Sequence, residues 1–166
     1  EALAHYKSAI KIDQGLGDRS ALALKLGNVG QCYADLGDLD RAERYLGQAA
    51  ALAEQTGDLS SAADVAVSLG QTKLQRGDLD GAIALLERGL HLAIENRERY
   101  QEIRALEYLA LAHTEADRAE VALELASSAT ELAKKMPMIV GVIYGQMFSA
   151  LAMSGLGRHD EAIGSA

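Results

Sequence analysis

The sequence predicts an all-α chain, a solenoid of antiparallel helix hairpins stacked into one repeat domain over its 166 residues. Three observations predict it. First, the run Leu36-Gly37-Asp38-Leu39-Asp40-Arg41-Ala42 returns as Gln75-Arg76-Gly77-Asp78-Leu79-Asp80-Gly81-Ala82, and again as Leu156-Gly157-Arg158-His159-Asp160-Glu161-Ala162. Ala42, Ala82 and Ala162 fall on a 40-residue ladder that also finds Ala2 and Ala122. Second, one proline, one phenylalanine and no tryptophan stand beside abundant alanine and leucine, a mixture that rewards helix over pleated strand. Third, Gly-Asp pairs punctuate the chain between amphipathic stretches, glycine ending one helix and aspartate capping the next.

The elements follow in order. Residues 1–18 read as a partial repeat, marked by Ala2, Tyr6 and Ala9 and closed by Gly17-Asp18. The first full repeat, 19–58, opens with a helix over 19–36 whose Leu26, Val29, Gly30 and Tyr33 share one face at spacings of three and four. Gly37-Asp38 ends that helix; a second, over 39–54, turns Ala42, Leu46 and Ala49 inward before Gly57-Asp58. The next repeat, 59–98, repeats the pattern with Ala66, Leu69, Gly70 and Lys73, then Ala82, Leu86 and Gly89. The third, 99–137, carries Leu106, Leu109, Ala110 and His113, then Ala122, Ala126 and Ala129. Its middle turn has lost the glycine and reads Ala116-Asp117-Arg118-Ala119-Glu120. Pro137 takes the place of the next Gly-Asp turn, a residue suited to the first position of a helix. A partial repeat, 138–166, closes the chain with Ala150, Met153 and Ala162, although Gln146 and Ser149 stand where apolar residues are expected.

These landmarks resemble the tetratricopeptide repeat over essentially the whole chain. That family's first helix carries a large residue, then leucine followed by a small residue, then tyrosine; its second carries small, aromatic, small. The small positions Gly30, Gly70, Ala110 and Ala150 are expected where the two helices of a hairpin cross, because a bulky side chain there costs roughly 1–3 kcal/mol of overpacking. The resemblance implies a right-handed superhelix with first helices lining a concave groove. The usual repeat has about 34 residues; the longer period here looks like that of kinesin light chains, spindle-orientation adaptors and bacterial regulators.

Composition and motifs narrow the function classes. The net charge of −8, with no basic run, argues against nucleic acid as partner. No apolar segment reaches membrane-spanning length and no signal peptide opens the chain, so no membrane is expected. A lone cysteine, Cys32, fits a reducing, cytoplasmic setting and reads as a small hydrophobe. The chain opens at Glu1 within the pattern of a second helix, which reads as a piece of something longer. His5, His91, His113 and His159 scatter over different repeat positions, and His113 replaces the packing tyrosine. Glu87, His91 and Glu95 share a helix face, where a solvated surface is far commoner than a metal site. His159-Asp160-Glu161 lies in a turn, where capping accounts for the acids. No catalytic constellation emerges, and neither cofactor nor metal is expected.

The groove remains. The exposed face of successive first helices reads Leu24, Asn28, Gln31, Asp35; then Asp64, Ser68, Gln71, Gln75; then Arg104, Tyr108, Leu111, Glu115; then Tyr144, Phe148, Leu151, Gly155. Polar rows suit an extended peptide backbone, and aromatic rows suit side-chain anchors. The alternative is that polar rows are merely wet and apolar rows touch a neighbouring repeat. The lysine- and asparagine-rich carboxylate clamp of the family's chaperone-binding members is not supported, since Gly27, Gln31 and Ser68 stand at corresponding positions. The expected function is a non-catalytic scaffold for a neutral-to-basic peptide or protein with apolar anchors. A regulatory segment of a larger enzyme or transcription regulator, and a self-assembly module, stand as alternatives. Weak self-association through the apolar C-terminal end is expected.

Overall fold

A computed structural model describes residues 18–136, 139–158 and 162. Among them the chain forms seven α-helices and no strand: α1 (Arg19–Asp35), α2 (Leu39–Thr56), α3 (Leu59–Gln75), α4 (Leu79–Glu95), α5 (Arg99–Glu115), α6 (Ala119–Lys134) and α7 (Ile139–Gly155). Residues 1–17, Pro137, Met138, 159–161 and 163–166 lie outside the described residues, and with them His5, His159, Gly17, Pro137 and the expected first partial repeat.

The helix boundaries come from local chemistry. Asp18, Asp38, Asp58 and Asp78 each precede a helix and accept a hydrogen bond from the backbone N–H three residues on, at 3.0–3.2 Å. A bond of that kind satisfies a donor the helix leaves orphaned. At the other end Gly37, Gly57 and Gly77 take left-handed φ angles of 76°, 66° and 82°. The chain then doubles back, and Asp38 and Asp78 donate their N–H to the carbonyls of Tyr33 and Lys73 at 2.9 and 3.0 Å. The same turn recurs at Arg97 and Asp117, with φ of 59° and 57°, although neither is glycine. There the following residues, Glu98 and Arg118, make no side-chain cap.

Turns this short force consecutive helices into antiparallel neighbours. The small residues decide how closely they approach. A Cβ on Gly30 would lie 2.6 Å from Leu46 Cγ, and one on Gly70 2.5 Å from Leu86 Cγ, so each glycine is the socket for a leucine of the following helix. Leu46 and Leu86 are thereby fully buried, worth about 1.5–3 kcal/mol each. Ala42, Ala82 and Ala122 are likewise sealed, with Ala49, Ala110, Ala126 and Ala129. In α7 the seam is less complete: Ala150 is half-buried and Gln146 exposed, while Ser149 is buried with its hydroxyl donating to the Gly145 carbonyl at 2.9 Å.

The stack has two unequal layers. The pairs α1–α3, α3–α5 and α5–α7 pack directly, whereas no two of α2, α4 and α6 bring Cα atoms within 8 Å. The first-helix layer is therefore the inner one and the solenoid curves around it. Long side chains bridge the splayed outer layer, as where Arg88 of α4 pairs with Glu54 of α2 at 2.7 Å. Lys73, standing where α1 has Tyr33, pairs with Glu43 and Asp78 at 3.6 and 3.2 Å.

Candidate functional site

The inner layer presents the residues anticipated for a groove, but not all of them to solvent. Leu24 and Asp35 of α1 are exposed, and Asn28 and Gln31 half-buried. On α3, Asp64 is half-buried, but Ser68 and Gln71 are only 3 % and 9 % exposed. On α5, Arg104, Tyr108 and Leu111 are half-buried; on α7, Tyr144 and Leu151 are open while Phe148 is 7 % exposed. Ser68, Gln71 and Phe148, anticipated on the open face, are thus buried, although Phe148 still lines the hollow between α5 and α7. Ser68 and Gln71 sit on α3, which is flanked by α1 and α5, and Phe148 packs against the cluster of Ala110 and Ala126.

Residues 40 apart on neighbouring inner helices bond to one another. Gln31 donates to the Gln71 carbonyl oxygen at 3.3 Å and to Asp35 at 2.9 Å. Arg104 donates to Asp64 at 3.0 Å and to Gln101 at 3.1 Å, and Gln101 donates to Asp64 at 2.8 Å. The polar half of the groove is a ladder of side chains that partly satisfy each other.

The apolar half is a hollow. A cavity of about 270 Å³ opens between α5 and α7. Arg104, Glu107 and Tyr108 line it from α5, with Tyr100 and Ile103 one turn earlier; Tyr144 and Phe148 line it from α7, with Val140 and Gly141. Tyr144 and Phe148 stack at 6.3 Å between ring centroids, and the Arg104 guanidinium lies 5.8 Å from the Tyr100 ring centre. Burial pushes the Tyr108 hydroxyl above its ordinary value, partly opposed by Arg104. Burial also pushes the Glu107 carboxyl up to about 7, again against the pull of Arg104. Among the described residues Glu107 Oε1 has no hydrogen-bond partner.

Tyr100, Ile103, Val140 and Gly141 were not among the anticipated groove residues. Tyr100 and Val140 lie four positions before Arg104 and Tyr144, so extending each row by one helical turn would have found them. The other polar candidates behave as surface or core. Glu87, His91 and Glu95 are exposed on α4, with His91 Nδ1 4.0 Å from Glu95. His113 is buried, which holds its imidazole below the usual value, and Cys32 is half-buried beside Tyr33. No described helix is long and apolar enough to cross a membrane.

Comparison with known proteins agrees with this architecture. Residues 26–56 match the family model of the tetratricopeptide repeat. The chain is 42% identical over 71 residues to the BBSome complex member BBS4 of Xenopus tropicalis, covering 43% of this chain and 12% of that protein. It is 33% identical over 95 residues to response regulator aspartate phosphatase J of Bacillus subtilis (strain 168), covering 57% of this chain and 25% of that one. The chain thus spans a quarter or less of the curated relatives it matches. Among solved structures, a Podosopora anserina kinesin light chain protein with nearly identical TPR-like repeats superposes with a TM-score of 0.75 at 17% identity, covering 98% of this chain and 81% of that one. The MamA protein does so with a TM-score of 0.64 at 21% identity, over 99% and 88%. The fold is that of tetratricopeptide-like repeats, which generally mediate protein–protein interactions.

Proposed function

We propose, from a chain built of tetratricopeptide-like repeats, a non-catalytic scaffold that holds a peptide or partner segment along its inner face. The observation that carries this reading is the division of that face. Polar side chains of α1 and α3, among them Asn28, Gln31 and Asp64, adjoin an aromatic hollow between α5 and α7. An extended segment needs both: hydrogen-bonding groups for its backbone and a desolvated recess for an anchor. The chain's charge of −8, with Asp35, Asp64, Glu107 and Glu115 on or near the groove, favours a neutral-to-basic partner. Exposed ion pairs contribute only about 0–1 kcal/mol each, so the anchors carry affinity and charge mainly speeds association.

The test is a peptide library screened against the wild type and an Asn28→Ala/Tyr108→Ala double variant. Basic peptides with apolar anchors are expected to be enriched by the wild type and lost by the variant at unchanged helicity. Enrichment of acidic peptides, or undiminished capture by the variant, would overturn the groove.

A further inference from the structure

We propose that the hollow between α5 and α7 receives a single basic side chain of the bound segment, with the Glu107 carboxylate as its counter-ion and the surrounding rings as its walls. The inference rests on the groove reading and refines it at one subsite, where a basic arm paired out of reach of water takes the place of an apolar anchor. Its starting point is an oxygen without a partner. Glu107 is 7 % exposed, and among the described residues its Oε1 accepts no hydrogen bond. An unpaired buried carboxylate is costly, and proteins supply such groups with a cation or keep them protonated.

Among the described residues the one cation lining the hollow, Arg104, pulls on Glu107 but offsets its burial only in part, and its hydrogen bonds go elsewhere. Arg104, one turn away, directs Nη1 to Asp64 and to Gln101. α3 contributes Asp64, which Arg104 already pairs, and α7 carries no Asp, Glu, Lys, Arg or His along its length. The other titratable groups of the hollow are Tyr100, Tyr108 and Tyr144. Four aromatic rings, those tyrosines and Phe148, line the same space. Ring faces attract a desolvated cation, and they shield a carboxylate–cation pair from water.

Size points the same way. The cavity holds about 270 Å³, just under the ~300–1,000 Å³ typical of small-molecule pockets. That space suits one side-chain arm. A carboxylate guest would meet Glu107 and find Arg104 already engaged. As the ammonium or guanidinium enters, Glu107 releases its proton to solvent and the pair forms between carboxylate and cation.

The experiment follows the Glu107 carboxyl by ¹³C NMR in the 166-residue chain, titrated with n-pentylamine, n-pentanol and pentanoate. Pentylamine is expected to bind best and to lower the Glu107 midpoint from about 7 by roughly one pH unit or more; pentanol is expected to leave it in place. Glu107→Gln should lose about tenfold or more in pentylamine affinity while keeping pentanol. If that variant fails to fold by circular dichroism, Tyr144→Leu, at a half-exposed ring, should weaken pentylamine more than pentanol. Equal binding of amine and alcohol, a preference for pentanoate, or indifference to these variants would overturn the subsite. Peptide capture without amine selectivity would sink the subsite and leave the groove standing; amine selectivity without peptide capture would do the reverse.

Discussion

Glu107 and His113 lie six residues apart on α5 and set opposite responses to pH. Burial raises the folded-state pKa of Glu107 from an ordinary 4.5 to about 7. Between those values the folded chain binds more protons than the unfolded one, so this group's contribution is fully present below 4.5 and is lost as pH rises through about 7. At about 1.4 kcal/mol per pH unit, the loss is on the order of 3 kcal/mol. His113 is held below its ordinary 6.5, first by burial and then by Arg118, so its contribution is present above 6.5 and lost as pH falls through the lowered value. Glu107→Gln removes the first response and keeps the second. Urea midpoints at about pH 5 and about pH 8 should show the variant gaining on the wild type at the higher pH by about 1–3 kcal/mol. An equal difference at both pH values would mean that the carboxyl titrates as an exposed one.

At the scale of the element, the turns between helices fall into two grades. Gly37, Gly57 and Gly77 reach the left-handed region without cost and are followed by aspartate caps. Asp117 and Arg118 occupy the corresponding places before α6 with a side chain at φ 57° and no cap. The backbone still closes the same way, Arg118 N–H donating to the His113 carbonyl at 2.8 Å. Restoring the pattern with Asp117→Gly/Arg118→Asp should therefore stabilise the chain by about 1–2 kcal/mol, read as a higher urea midpoint. A lower midpoint would show that Asp117 or Arg118 makes contacts worth more than the turn. The ends at Gly37, Gly57 and Gly77 were legible in the sequence because each rests on two adjacent residues and their own backbone. The same reasoning explains why the Asp117 turn survives the loss of its glycine: aspartate tolerates the left-handed region better than most residues.

At the scale of the whole molecule, the last described helix leaves a face uncovered. Ile143, Met147 and Leu151 are 57, 42 and 45 % exposed on α7. Apolar ends of helical stacks are sticky, because a polar capping face is what normally keeps them apart. The chain is expected to associate weakly with itself through this face, seen as a rise in weight-average mass with concentration in sedimentation equilibrium. Ile143→Glu/Met147→Lys should return it to the monomer mass while leaving peptide capture by the groove intact. Association that survives the double variant would place the contact elsewhere.

The sequence by itself determined the all-α class, the Gly-Asp turns at Gly37, Gly57 and Gly77, and the glycine sockets of Gly30 and Gly70. All three depend on residues close together in the chain or on one regular spacing. Only the tertiary structure decided which groove residues are available. Ser68 and Phe148 occupy the same face of their helices as Asn28 and Tyr108, yet they are buried where those are half-open. The inner helices crowd together where the outer ones splay, and curvature of that kind is a property of the stack. The hollow around Glu107 has the same origin. Its walls come from helices 40 residues apart, and its oxygen stays unpartnered while Arg104 reaches across to α3. Which of two carboxylates a guanidinium chooses is settled by the distances that packing leaves between them.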